Sequence, residues 1–149
     1  MAGLGAFDTF TKVINGDGTA PTLKNLASGG TKLGSEVDNA TDKKQAADFV
    51  LKVRGASAFA ANAPVQLYLV PATDGTNYED GSDSVTPPPS QLVGTFAVRA
   101  VATQQRIAIR GVLLSPGKFK PLIRNGTAVG FTNTDNENEL YIRKYNLQE

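Results

Sequence analysis

The chain has 149 residues with 15 Lys+Arg against 14 Asp+Glu, a net charge of +1, 40% hydrophobic residues, 15 Gly and 8 Pro, and no Cys, His or Trp. Without Cys there is no disulfide, thiolate nucleophile or zinc ribbon, and without His there is no imidazole ligand and no Ser-His-Asp relay. The length fits one domain, and the near-zero charge opposes a protein that binds by neutralising many phosphates.

Residues 1–20 read as a Gly-rich N-terminal arm, followed by a β-sandwich domain over 21–149. The start has no basic segment followed by an apolar run, so no secretory signal is expected, and no window approaches the ~18 apolar residues of a membrane span. The expected place of synthesis is a cytoplasm, where the chain folds in soluble form. Within the arm, Phe7, Phe10, Val13 and Ile14 are spaced for one or two helical turns, or for apolar contacts made elsewhere. Ala27 to Gly34 reads as a second loose stretch, and Thr41 to Ala47 as a helical turn of marginal length.

From residue 46 the apolar pattern has period two. Phe49, Leu51 and Val53 share one face, opposite Asp48, Lys52 and Arg54. Val65, Leu67 and Leu69 repeat this, then Phe96 and Val98, then Ile107 and Ile109 opposite Arg106 and Arg110. Phe119 and Ile123 follow, opposite Lys118, Lys120 and Arg124, with Leu122 breaking the alternation. Leu140 and Ile142 close the series. Asp74-Gly75, Asp80-Gly81, Ser115-Pro116-Gly117 and Asn125-Gly126 supply turn chemistry, and Asn125-Gly126 is the clearest hairpin signal. Short strands with frequent turns predict an all-β, antiparallel β-sandwich, a jelly roll of seven or eight strands.

Residues 71–91 form a long surface loop, acidic at first and closed by Pro87-Pro88-Pro89. Residues 74–83 hold four acids and no base, and residues 84–134 hold six bases and no acid, so a neutral total conceals a polarised surface. The acidic loop lacks the EF-hand pattern, since Thr76 and Tyr78 stand where ligands belong, and a solvated loop is favoured over a calcium site. Glu36, Asp38 and Asp42 could join it in a carboxylate pair for glycoside hydrolysis, but fourteen acids offer many pairs by chance. Tyr68, Tyr78, Tyr141 and Tyr145 are the only tyrosines available as a sugar platform. Arg106, Arg110, Lys118, Lys120 and Arg124 read first as an ordinary solvated face, second as a docking face for an acidic protein surface, and last as a nucleic-acid site. No Gly-rich phosphate loop occurs and no cofactor is expected.

Leu33-Gly34-Ser35-Glu36-Val37-Asp38-Asn39-Ala40-Thr41, the run Gln66 to Tyr78 with Tyr-Leu-Val-Pro and Asp-Gly-Thr-Asn-Tyr, Leu92-Val93-Gly94-Thr95-Phe96, and Gly111 to Lys120 with Pro-Gly-Lys-Phe-Lys together resemble a family of small tailed-bacteriophage virion proteins. The resemblance covers about residues 33–145. It implies a jelly-roll decoration or cement protein on the capsid surface of the virion, made in the host bacterial cytoplasm, with the major capsid protein and further copies of itself as partners, a trimer being one option. It implies no catalytic residues. Phe7, Phe10, Val13, Ile14 and the five basic residues are then the expected capsid or subunit contacts. A tail or head-to-tail component, or a carbohydrate-binding module for host attachment, are the alternatives.

Overall fold

The computed structural model describes residues 9–147. The period-two segments become strands whose inner residues form one core: β4 (Ala46–Val53), β5 (Pro64–Pro71), β6 (Leu92–Ala97), β7 (Gln105–Leu113), β8 (Lys118–Asn125) and β9 (Glu139–Tyr145). Phe49, Leu51, Val65, Leu67, Phe96, Ile123 and Leu140 are each fully buried there. Three short strands precede them: β1 (Thr11–Ile14), β2 (Thr31–Leu33) and β3 (Val37–Asp38). A single helical turn, α1 (Asn39–Asp42), is capped by the Asp38 carboxylate, which accepts from the Ala40 and Thr41 N–H groups. The turn thus starts and ends earlier than the sequence suggests, because Lys43 leaves the helix in the left-handed region at φ 50° and Ala46 and Ala47 enter the sheet.

The first sheet has the order β1-β9-β4-β7 and the second β2-β8-β5-β6, with β3 also on β8. All pairs are antiparallel. With β2 and β3 taken as one interrupted strand, the rungs β1·β9, β2/β3·β8, β4·β7 and β5·β6 describe a single long hairpin. Rolling it up adds the pairs β4·β9 and β5·β8, and the result is an eight-stranded jelly roll. The expected fold class is therefore what the chain adopts.

Strands β2 and β3 are one strand broken opposite Pro121. The Pro121 carbonyl accepts from the Gly34 N–H at 2.6 Å. In an antiparallel ladder a residue's N and O face the same neighbour, so the donor that proline lacks is missing on this side alone. The register accordingly shifts by one residue, from Leu33 opposite Leu122 to Val37 opposite Phe119. A β-carbon at Gly34 would lie 2.9 Å from the Pro121 carbonyl oxygen, so the bulge needs glycine there.

Three expectations change. Strand β1 lies within the first sheet, with Ile14 fully buried and Val13 nearly so, and the arm reading fails from Thr11 onward. The loose stretch at 27–34 contains β2. Asn125-Gly126 does not close a hairpin: neither residue has the positive φ that a two-residue hairpin turn of that type demands, and β8 is followed by no partner strand at 128–131. Asn125 is instead fully buried. Its Oδ1 accepts from the Thr127 N–H and hydroxyl, and its amide donates to the Leu26 and Val129 carbonyls, which turns the chain from one sheet toward the other.

Candidate functional site

The outer face of the second sheet is covered. Tyr68 and Val70 of β5 and Leu122 of β8 point away from the main core and form a second apolar cluster with Leu33 and Tyr78. This cluster explains why Leu122 breaks the alternation. The acidic loop lies over it: the Thr31 hydroxyl donates to the Ser82 carbonyl, the Leu33 N–H and the Lys32 ammonium donate to the Asp83 carboxylate, and the Lys120 ammonium sits 4.4 Å from the centroid of the Tyr78 ring. Lys118 lies 3.8 Å from Glu36, and Arg124 donates to Gln66.

Three of the loop's four carboxylates, those of Asp74, Glu79 and Asp83, are occupied within the chain. Asp74 accepts from the Thr76 and Asn77 N–H groups, which with the Asn77 side chain hold its carboxyl down at about 2. Glu79 accepts from Gln91 and Thr73, and Asp83 pairs with Lys32. Among the described residues, no three carboxylates converge on a point where a metal ion would sit. The pairs imagined for glycoside hydrolysis are likewise dispersed into local roles: Asp38 caps α1, Asp42 pairs with Lys144, and Glu36 accepts from the Tyr78 hydroxyl.

The outer face of the first sheet is differently built. Register places Lys52 between Glu139 and Arg106, Val50 between Tyr141 and Ala108, and Asp48 opposite Arg143. Glu139 is almost fully buried, with Lys12 at 2.9 Å, Lys52 at 3.1 Å and the Tyr141 hydroxyl at 2.8 Å. Burial pushes its carboxyl up, but the hydrogen bonds from Lys12, Tyr141 and Lys52 prevail and leave it below the usual range. Asp48 repeats the arrangement: burial opposes ionisation, yet the Gly111 N–H, Arg143 and the Tyr145 hydroxyl bring its carboxyl down. Gly111 stands at φ 69° in a bulge of β7, where Arg110 and Gly111 together face Asp48. Phe10, 41% exposed, lies under the Arg143 guanidinium, 4.7 Å from ring centroid to Cζ.

The five basic residues thus do not form one face. Strands β7 and β8 are consecutive in the chain, but rolling the hairpin puts them in opposite sheets. Lys118, Lys120 and Arg124 lie on the covered second sheet, while Arg106 and Arg110 are exposed on the first and have no ion pair among the described residues. Of the expected apolar contacts, Val13 and Ile14 are core residues and unavailable, Phe10 is exposed, and Phe7 lies outside the described residues. Sequence reading missed the roles of Asp48 and Glu139. Their signal was a carboxylate at an outward strand position with cations on the neighbouring strands.

A third feature is a groove of about 450 Å³ at one end of the sandwich. It is lined by Leu69, Pro71 and Thr73, by Gln91 and Val93, and by the turn from Leu113 to Phe119. Leu113, on its rim, is 74% exposed. The runs Gln66–Tyr78, Leu92–Phe96 and Gly111–Lys120, distant in sequence, therefore meet around one groove.

No family model matches this chain, and no curated protein does. Among solved structures, it is similar to the CBM36-1 domain of a multidomain xylanase from the hindgut metagenome of Trinervitermes trinervoides, with TM-score 0.40 and 12% identity over 99% of this chain and 93% of that one. It is similar also to the catalytic domain of a GH87 alpha-1,3-glucanase in complex with tetrasaccharides, with TM-score 0.40 and 15% identity over 99% of this chain. The match spans 30% of the glucanase chain.

Proposed function

We propose that this chain is a non-enzymatic structural protein of a tailed-phage particle, a jelly roll that decorates or cements the capsid through protein contacts. The observation that supports this reading best is the convergence of three of its phage-like segments around one end of the sandwich, at the groove walled by Leu69, Val93 and Phe119. A further support is the use made of ionisable groups. Asp48, Glu139, Glu36 and Asp83 each hold two parts of the fold together, as suits a protein that works through a stable surface. Cementing acts by mass action: any surface that binds only the assembled shell stabilises that shell.

Antibody labelling of negatively stained particles tests the reading. Label distributed over the head is expected. Label confined to the tail favours the head-to-tail alternative, and glycan-array binding that depends on Tyr78 or Tyr145 favours the attachment module.

A further inference from the structure

We infer that the outer face of the first sheet, centred on Arg106 and Arg110, docks this protein on an acidic protein surface; the inference rests on the capsid reading and assigns the shell-facing side of the jelly roll. The two outer faces differ in what has been done with their charge. On the second sheet, Lys32, Lys118 and Lys120 are met by Asp83, Glu36 and Tyr78, and the acidic loop covers the apolar cluster beneath. On the first sheet, among the described strand residues, Lys12, Lys52, Arg106, Arg110 and Arg143 face two carboxylates, Asp48 and Glu139, a surplus of three positive charges.

Two of these three charges sit at the β7 edge. Lys12 and Lys52 share Glu139, and Arg143 binds Asp48, whereas Arg106 and Arg110 have no acidic partner among the described residues. They stand four residues apart on one strand, about 13 Å, a spacing that suits two separate carboxylates of a partner. Exposed guanidinium groups recognise carboxylates through paired N–H bonds, and they steer an acidic surface into register before contact.

The rest of the face favours a protein partner over a nucleic acid. Phe10, Tyr141, Tyr145 and Arg143 are residue types enriched where proteins meet. The Phe10 ring under Arg143 gives this face an exposed apolar contact beside its charges.

The test measures binding of three full-length proteins to purified heads from particles lacking this protein: the wild type, R106Q/R110Q and K120Q/R124Q. Both variants lose two positive charges four residues apart on one strand, from opposite faces, and neither touches the groove. Circular dichroism and melting temperature establish that each is folded. R106Q/R110Q is expected to bind about tenfold or more weakly, with a shallower salt dependence, while K120Q/R124Q stays within about twofold of wild type. Equal losses in both would reduce the effect to net charge and overturn the inference, as would unchanged binding of R106Q/R110Q. Wild-type protein that fails to bind heads overturns the capsid reading and this inference with it. A parallel titration with duplex DNA separates the remaining class: a loss in R106Q/R110Q seen for DNA and not for heads also overturns the inference.

Discussion

The Tyr78 hydroxyl donates to the Glu36 carboxylate across 42 positions of sequence, and this bond, with Lys120 over the Tyr78 ring, holds the acidic loop on the second sheet. Tyr78→Ala is expected to cost about 1–2 kcal/mol by uncovering Tyr68, Val70 and Leu122. The same change should speed cleavage at Glu79 by a glutamate-specific protease, and Tyr78→Phe, which keeps the ring, should have the smaller effect. A cleavage rate unchanged in Tyr78→Ala would mean that the loop is held by other contacts.

The Tyr78 proton carries a pH signature. Burial, and then its bond to Glu36, push the phenol from 10.0 up to about 12. The folded state therefore keeps a proton that the unfolded state releases, so this contribution is complete below pH 10 and is lost as pH rises toward 12. Denaturant titrations across that window should show stability falling in the wild type and falling less in Tyr78→Phe.

Asp48 and Glu139 predict the opposite end of the pH scale. Both carboxyls are held below their ordinary values of 3.8 and 4.5, despite burial, by the groups they accept from. Their contribution is present above those values and disappears as pH falls through the lower folded ones. Melting temperature should drop as pH falls below about 4.5, and Glu139→Gln should flatten that drop while lowering stability at pH 7. An equally steep acid transition in Glu139→Gln would assign the sensitivity elsewhere.

Gly34 offers a steric test of the interrupted strand. A side chain there meets the Pro121 carbonyl at 2.9 Å and Ile14 at 3.0 Å, and neither a paired backbone nor a core side chain can retreat far. Gly34→Val should destabilise by about 1–3 kcal/mol in chemical denaturation. Gly75→Asn, in an open turn, should be nearly silent by the same measurement, because nothing lies within 4 Å and Asn tolerates a positive φ.

The position of β1 separates two deletions. Removing residues 1–10 keeps β1, whereas removing 1–19 takes away Val13 and Ile14, both packed in the core. The longer deletion should lower the melting temperature sharply, and Ile14→Ala alone should cost about 2–5 kcal/mol. Equal melting temperatures for the two deletions would restore the arm reading over 11–19.

The strands from β4 to β9 are legible because their inward residues alternate along one face of each, as Phe49, Leu51 and Val53 do. Strand β1 is hidden because its register shifts between Lys12 and Ile14, so Val13 and Ile14 are buried in succession and the period of two disappears. At Asn125-Gly126 the local signal was overruled by tertiary hydrogen bonding: a buried Asn bonded to Leu26 and Val129 needs a corner, not a hairpin. The charge polarity of 74–83 against 84–134 was visible, but its meaning required topology. Rolling the chain puts β8 under the acidic loop and leaves β7 on the other side, so one basic block is split between a neutralised face and one where Arg106 and Arg110 have no ion pair among the described residues. Leu122, out of phase in sequence, was the residue that marked the covered face.

The most direct test of the central claim is the number of copies of this chain per purified particle, measured by quantitative mass spectrometry against the major capsid protein. A capsid-decorating role predicts copies on the scale of the capsid subunits themselves. A handful per particle, or none, would contradict it.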